Sequence, residues 1–266
     1  METNMYQSIE FSIDGDVAYI QLDRPESLNA LNSELLTEFE EALKRAENSE
    51  GVRAVVVRGN GDAFSSGYDI GTTDEDQNLD QQLLDQRTHL ETIFSLKLPV
   101  IAAVDGHALA GGCNLAIACD LTFATESSTF GYPDMHFGEP PPKFVLPFVT
   151  NSLKHARELL YSGKMIPASK AKEMGLVNDV VADGTIDARV EEELDEIRKT
   201  PSLAVALSKD MINSVQEAHG FRRYGRIDEY IGALTMETET PNRFREIRDE
   251  KGLQAALEWT HETDKS

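Results

Sequence analysis

The sequence predicts an α/β fold followed by a C-terminal helical subdomain. Short apolar segments rich in β-branched residues alternate with segments of helical periodicity, which is typical of α/β domains. After about residue 186 the pattern is helical to the end, interrupted by single Pro and Gly residues. These two observations predict a mixed α/β core over residues 1–195. They also predict a helical subdomain over residues 196–266, which would pack on the core or on neighbouring subunits.

The predicted elements can be placed in chain order. Apolar segments flank Asp14-Gly15-Asp16, which is a hairpin signal, and Asn32 or Ser33 is placed to cap the first helix. The polar segment 72–82 predicts a mobile loop. Predicted strands lie at 8–13, 17–22, 53–58, 99–104, 121–124 and 176–181. Predicted helices lie at about 33–48, 80–96, 111–118, 151–161, 186–199, 201–217, 221–239, 241–249 and 251–260.

Composition limits the class of protein. The chain has 266 residues with 40% hydrophobic content, which is enough for a substantial core. No apolar run approaches the roughly 18 residues that a membrane span needs, and the N-terminus has no signal-peptide pattern. We therefore expect a cytoplasmic protein with no membrane partner. Cys113 and Cys119 are expected to be small buried side chains, with no disulfide and no metal site.

The formal net charge of −22 is unusual, and it is spread over helical segments rather than gathered in a tail. Such a surface is known from halophile proteins, so we expect a salt-loving source. The alternative is an acidic surface that recruits a basic partner. In either case binding to nucleic acid is disfavoured, because phosphates carry the same sign of charge.

The segment 99–120 is the centre of the predicted fold. A short apolar strand at 99–104 leads through a Gly-rich turn to Gly111-Gly112 and a buried helix. Two glycines allow another molecule to approach the backbone, and a helix N-terminus presents unpaired N–H groups with partial positive charge. This arrangement suits an oxygen that becomes negative during a reaction, as in an oxyanion hole.

Three motifs in this sequence resemble those of one family. Residues 105–120 read Asp-Gly-x-Ala-x-x-Gly-Gly-x-x-Leu-Ala-x-x-Cys-Asp, residues 22–31 read Leu-Asp-Arg-Pro-Glu-Ser-Leu-Asn-Ala-Leu, and residues 63–70 read Ala-Phe-Ser-Ser-Gly-Tyr-Asp-Ile. Together they closely resemble the crotonase (enoyl-CoA hydratase/isomerase) superfamily, over about residues 9–260. The resemblance implies a spiral of strand-strand-helix units and acyl-CoA thioester chemistry through an enolate. It also implies a homotrimer or a dimer of trimers, with no cofactor beyond the CoA moiety of the substrate.

The resemblance assigns the candidate catalytic residues. It places the two backbone N–H groups of the oxyanion hole at Tyr68 and Gly111. The two catalytic glutamates of the hydratases correspond to Asn114 and Asp134 here. Asn114 can hold a water or a carbonyl but cannot carry a proton, whereas Asp134 can serve as a base if burial raises its pKa. The alternative for Asp134 is a turn-capping role, and Glu139 can supply a displaced second carboxylate or be a solvated loop residue.

The resemblance also assigns the CoA-binding residues. By position, Ser27, Leu28 and Ala30 would contact the adenine and pantetheine. The thioester end would be lined by Tyr68, Asp69, Ile70, Gly71 and Gly111. Many relatives carry Lys where Gly71 stands, so Arg24 and lysines elsewhere would supply the positive charge for CoA.

The expected function is that of an acyl-CoA thioester enzyme with Asp134 as the acid/base group. A single carboxylate suits double-bond isomerisation better than hydration. The alternatives are an acyl-CoA hydrolase or a C–C lyase of the same superfamily, and a catalytically silent acyl-CoA-binding relative.

Overall fold

The computed structural model describes residues 6–69, 79–138, 143–236 and 238–263. The strands are β1 Ile9–Asp14, β2 Val17–Leu22, β3 Ala54–Gly59, β4 Ala63–Ser65, β5 Val100–Val104, β6 His107–Leu109, β7 Leu121–Thr125, β8 Thr129–Gly131, β9 Met165–Pro167 and β10 Asp179–Val181. The α-helices are α1 Ser33–Asn48, α2 Leu79–Ser95, α3 Gly111–Ala118, α4 Leu146–Val149, α5 Leu153–Ser162, α6 Ala168–Glu173, α7 Ile186–Lys199, α8 Ser202–Ala218, α9 Phe221–Met236, α10 Glu239–Lys251 and α11 Leu253–Thr263. Short 3₁₀ helices occupy Pro25–Ser27 and Pro133–Phe137.

The strands form two sheets. The larger has the order β1-β2-β3-β5-β7-β10, in which β1 and β2 form an antiparallel hairpin and the other pairs are parallel. The smaller has the order β4-β6-β8-β9, with β9 antiparallel to β8. In chain order β4, β6 and β8 each follow a strand of the large sheet. This repeated pair of strands, with α2 and α3 after the first two pairs, confirms the predicted α/β fold of strand-strand-helix units.

The hydrophobic core lies on both faces of the large sheet. On one face, α1 buries the apolar side predicted for it, including Leu35, Phe39 and Leu43, and the Asn32 side chain accepts a hydrogen bond from the Leu35 N–H at 2.9 Å. On the other face, Val190 and Leu194 of α7 pack against residues of the parallel strands. Burial of large apolar side chains contributes about 1.5–3 kcal/mol each, so both layers hold the sheet in place.

The structure differs from the sequence prediction in several details. Helix α2 begins at Leu79, so the loop predicted for 72–82 is wrong over its last four residues, and residues 72–78 lie outside the described part. Of the strand predicted for residues 176–181, the structure shows only the last three residues, as β10. The predicted domain boundary falls inside helix α7, which runs through residue 195. Beyond that boundary, the carbonyl of Arg198 accepts a 3.1 Å hydrogen bond from Arg53 of the core. The division into domains at residues 195 and 196 stays a prediction.

A buried lysine links helix α8 to the core. Lys209 of α8 pairs with the Asp120 carboxylate at 2.6 Å and donates to the carbonyls of Ile93 and Leu98. Large apolar side chains nevertheless stay exposed on α8 and α9. They are Leu203, Leu207, Met211, Ile212, Val215, Tyr224, Ile227, Tyr230, Ile231 and Leu234. Among the described helices, none combines the length and apolar character needed to cross a membrane.

Candidate active site

The N-terminus of α3 follows a strained residue. Ala110 has φ 51° and ψ −120°, a conformation that costs a side-chain-bearing residue on the order of 1–3 kcal/mol. Its N–H donates to the carbonyl of Gly131 at 2.8 Å, which ties this turn to β8. The next residue, Gly111, is the first of α3 and is buried. The surrounding sheet therefore fixes the backbone at the position where the sequence predicts one oxyanion donor.

The segment after β4 reaches the same place. Gly67 has φ +107°, and a Cβ there would lie 2.8 Å from Cβ of Ala110 and 3.1 Å from the backbone N of Gly111. A Cβ on Gly111 would lie 2.6 Å from Cε2 of Tyr68, so the Tyr68 ring packs directly against the Gly111 backbone. The structure thus brings together Tyr68 and Gly111, which are 43 positions apart in the sequence.

Hydrogen bonds join the motif at 22–31 to the motif at 63–70. Asn29 is buried, and its side-chain amide donates to the carbonyls of Asn60 and Ala63 at 2.9 and 2.8 Å. The Ser66 N–H donates to the Leu28 carbonyl, also at 2.9 Å. The Leu31 N–H donates to the carbonyl of Gly67 at 2.8 Å, and Asp69 N–H to that of Leu31 at 3.0 Å. These contacts fix the segment after β4, on which Tyr68 lies.

The predicted CoA-binding residues lie along this joined loop. Ser27 is half-buried, Leu28 is exposed and Ala30 is buried. Arg24 pairs with Asp69 at 3.1 Å and donates to the Ala30 carbonyl, so the predicted source of positive charge also holds the loop together. Ile70 and Gly71 lie outside the described residues.

Asn114 is buried three residues after Gly111. Its side-chain oxygen accepts a 2.8 Å hydrogen bond from the hydroxyl group of Tyr132, which is itself fully buried. Cys113 lies beside the same tyrosine, and burial raises the pKa of its thiol to about 12. The thiol therefore stays protonated near neutral pH and is a poor nucleophile. No motif in the sequence pointed to Tyr132 as a partner of Asn114.

Asp134 is a buried carboxylate with one hydrogen-bonded oxygen among the described residues. It lies in the 3₁₀ helix after β8, and Oδ2 accepts a 2.8 Å bond from Nζ of Lys143. Oδ1 is buried and has no hydrogen-bond partner among the residues that the structure describes. Burial raises the pKa of Asp134, and the neighbouring Lys143 ammonium opposes part of that rise. These are the properties expected of a carboxylate that can accept a proton from a substrate.

Two further charged residues, which sequence reasoning missed, complete this cluster. Lys143 is only 6% exposed, and burial lowers the pKa of its ammonium group against the opposing charges of Asp134 and Asp228. Asp228, on α9, accepts hydrogen bonds from the backbone N–H groups of Lys143 and Phe144. Burial raises the pKa of Asp228 to about 6. Neither residue belongs to a local motif, and Asp228 is one of 47 acidic residues, so no sequence signal set it apart.

Two other residues, His136 and Glu139, lie close to Asp134 in the sequence. His136 packs against Gly163, where an added Cβ would lie 2.7 Å from Nε2 of the histidine. Glu139 lies outside the described residues, so its contribution of a second carboxylate stays a prediction.

Comparison with solved structures defines the class of fold. The chain matches the crystal structure of an enoyl-CoA hydratase/isomerase from Xanthobacter autotrophicus Py2 with a TM-score of 0.90 and 34% identity. The match covers 96% of this chain and 98% of that one. The fold is therefore that of the crotonase superfamily, as the three motifs predicted.

Sequence comparisons identify the family. The family model for enoyl-CoA hydratase/isomerase matches residues 12–254. A probable enoyl-CoA hydratase from Rhizobium meliloti is 34% identical over 242 residues, covering 88% of this chain and 93% of that protein. The short-chain-enoyl-CoA hydratase of Clostridium acetobutylicum is 33% identical over 206 residues, covering 75% and 78%. This chain belongs to the enoyl-CoA hydratase/isomerase family and is a hydratase/isomerase-like enzyme.

Proposed function

We propose that this enzyme acts on an acyl-CoA thioester, with the backbone N–H groups of Tyr68 and Gly111 binding the thioester oxygen and Asp134 moving the proton. The observation that carries the proposal is the buried Asp134 carboxylate, whose Oδ1 has no partner among the described residues. Burial raises the pKa of Tyr68, and the charges of Asp228 and Asp134 add to this rise, which supports a common cluster. The contact of Tyr68 with Gly111 supports the pairing of the two amides.

The proposed reaction proceeds through an enolate. The Asp134 carboxylate takes a proton from the α- or γ-carbon, and the electrons of that C–H bond pass towards the thioester, whose oxygen becomes negative. The two N–H groups and the N-terminus of α3 stabilise this oxygen. Asp134 then returns the proton to the other carbon, and the double bond has moved by one position. Loss of a backbone donor elsewhere costs about 10²–10³ in rate, and loss of a positioned base about 10²–10⁴.

The pair Asn114 and Asp134 favours isomerisation over hydration. Hydration needs one group to activate water and another to deliver a proton, and Asn114 cannot change its protonation state near neutral pH. Its side-chain oxygen is also engaged by Tyr132. The second candidate is hydration with Glu139 as the other carboxylate. Hydrolysis, C–C bond cleavage and acyl-CoA binding without turnover are the other outcomes to be tested.

Substrate assays separate these functions. The purified enzyme is incubated in high salt with crotonyl-CoA and with a 3-enoyl-CoA, and conjugated-thioester absorbance and free thiol are followed together. We expect absorbance to rise with the 3-enoyl-CoA, which reports isomerisation. A fall in absorbance with crotonyl-CoA reports hydration, and release of free thiol reports hydrolysis. Tight CoA binding with no change in either signal would overturn the proposal and favour a non-catalytic binder.

The same proposal extends to assembly and environment. The exposed apolar side chains of α8 and α9, among them Leu203 at 70% and Tyr230 at 74% exposure, support a homotrimer or a dimer of trimers. We expect no cofactor beyond the CoA moiety, no nucleic-acid or membrane partner and a cytoplasmic location in a salt-loving cell. Light scattering coupled to size exclusion in high salt tests the assembly, and a monomer would contradict it.

A further inference from the structure

We propose that Lys143 is a positioning residue for Asp134: its ammonium group holds Oδ2 and leaves Oδ1 to accept the substrate proton. This inference rests on the proposed function, because it explains how one buried carboxylate is kept ready to act as a base. It adds a residue that none of the three sequence motifs contains.

The first step of the argument is geometric. The Lys143 and Asp134 side chains are 6% and 12% exposed, and their charged atoms are 2.8 Å apart. A buried charge is costly unless it is paired, so this contact stabilises the ionised carboxylate. A carboxylate held at one oxygen cannot turn freely, which fixes the direction of its other oxygen. Oδ1 is the oxygen that the described part of the chain leaves unsatisfied.

The second step concerns the surrounding charges. Asp134 is faced by Lys143 and His136, which favour its ionised form, and its own charge raises the pKa values of Tyr68, Tyr132 and Cys113. Lys143 is faced in turn by Asp134, Asp228 and Cys113. The nearest cation is therefore shared between two carboxylates in a buried setting. Without Lys143, the buried Asp134 carboxylate would lose the ammonium group that favours its ionised form and would bind a proton more readily.

The third step is the support of Lys143 itself. The Asp228 carboxylate accepts hydrogen bonds from the backbone N–H groups of Lys143 and Phe144, so α9 holds the lysine backbone in place. The Lys143 Nζ also lies 5.4 Å from the centre of the Tyr132 ring, within the range of a cation–π contact. Backbone and side chain are thus both held, which favours a fixed ion pair.

The test compares Lys143→Gln and Lys143→Arg with the unchanged enzyme. The pH dependence of kcat is measured for isomerisation of a 3-enoyl-CoA. Gln keeps a hydrogen-bond donor but removes the charge, so we expect kcat at pH 7 to fall about tenfold to a hundredfold, with KM changed less than threefold. In Lys143→Gln, the acidic limb of the pH profile of kcat should move to higher pH. Without the ammonium group Asp134 binds a proton more readily, and it must be ionised to act as a base. Lys143→Arg should keep the limb near its original pH.

Lys209→Gln is the matched control. Lys209 is also buried, at 7% exposure, and pairs with Asp120 at 2.6 Å away from the candidate site. Its substitution should lower stability and leave the pH dependence of kcat unchanged. An unchanged kcat and acidic limb in Lys143→Gln would overturn the inference, and so would an equal shift in Lys209→Gln.

A direct measurement separates this inference from the proposed function. Infrared difference spectra against Asp134→Asn report the ionisation of the Asp134 carboxyl group without any turnover. We expect its titration to move to higher pH in Lys143→Gln, even if the enzyme proves to catalyse another reaction. No movement of this titration would refute the role of Lys143, while absence of isomerisation alone would refute only the proposed reaction. Lys143→Met, which also removes the charge, supplies the same readout if Lys143→Gln does not fold.

Discussion

The Tyr132 hydroxyl group donates a 2.8 Å hydrogen bond to the side-chain oxygen of Asn114, and both residues are fully buried. The position to which the family resemblance assigns a catalytic glutamate is thus occupied, in this chain, by a neutral amide that accepts a hydrogen bond. Because an amide does not titrate near neutral pH, Asn114 of α3 cannot supply the acid–base group of the proposed reaction.

Restoring a carboxylate at position 114 should change the reaction. In Asn114→Glu, we expect the rate of crotonyl-CoA hydration to rise at least about tenfold relative to isomerisation, because a second acid–base group becomes available. Parallel assays with crotonyl-CoA and a 3-enoyl-CoA measure this ratio. Asn114→Gln is the control of equal size without a titratable group, and an equal gain in that variant would contradict the explanation.

Removing the charge of Asp134 should abolish most of the turnover. In Asp134→Asn, we expect kcat to fall at least about a hundredfold, because the amide cannot accept the proton. CoA affinity, measured by calorimetry, should change less than about twofold, since no bond to CoA is removed. A kcat within a factor of three of the original would contradict this role of Asp134 and favour Glu139 as the acid–base group.

The contact between Tyr68 and Gly111 predicts a coupled pair of substitutions. Gly111→Ala would place a methyl group 2.6 Å from the Tyr68 ring, so we expect it to displace the ring or the 111 backbone and lower kcat about tenfold to a hundredfold. In a Tyr68→Ala background the same substitution should cost much less, because the ring is gone while both backbone donors remain.

A double-mutant cycle on kcat/KM measures this coupling. Gly112→Ala serves as a packing control, because its Cβ would meet the Ser65 backbone carbonyl at 2.4 Å and Tyr68→Ala cannot relieve it. Equal costs of Gly111→Ala in both backgrounds would show that the Tyr68 ring is not the obstacle.

The raised pKa of Asp228 predicts a pH-dependent stability. Burial raises this pKa from 3.8 in the unfolded chain to about 6, so the folded state binds the proton more tightly. Its contribution to stability is present below about pH 4 and is lost as pH rises through 6. Relative to the unchanged protein, Asp228→Asn should therefore gain up to about 3 kcal/mol in free energy of unfolding across this window. Urea unfolding at pH 4, 5, 6 and 7 checks the difference, and a constant difference would contradict it.

The net charge of −22 predicts a strong dependence on salt. Raising KCl from 0.1 to 1 M shortens the screening length from about 10 to about 3 Å, which weakens repulsion between carboxylates. We expect the urea midpoint to rise steadily over this range. Sucrose at matched osmolality is the control, because it does not screen charge. A midpoint that is insensitive to KCl would argue against a halophilic surface.

Local pattern was sufficient for much of the fold. The amphipathic face of α1 follows from a 3.6-residue periodicity, its cap from the residue type of Asn32, and the strand at 99–104 from a short apolar run. The strands of the small sheet have three residues each, which is too short for a periodicity to be visible. Their pairing depends on contacts between distant segments, such as β4 with β6, and local reasoning does not supply those.

The site was predictable only where a motif marks it. Gly111 belongs to the motif at 105–120 and Asp134 is assigned by the family resemblance, and the structure places both in buried surroundings. Lys143 and Asp228 come from a segment and a helix with no distinguishing pattern, and they meet because α9 folds back onto the site. A long-range contact of this kind, between a side-chain carboxylate and two backbone N–H groups, is a property of tertiary structure.

Helix α9 combines two features. Its Asp228 holds the backbone of Lys143, and its exposed residues such as Tyr230 and Ile231 would contact a neighbouring copy in the proposed trimer. Subunit dissociation would then loosen the support of the proton-transfer group as well as uncover apolar surface. Specific activity should consequently decline on dilution, in step with the loss of assembled enzyme.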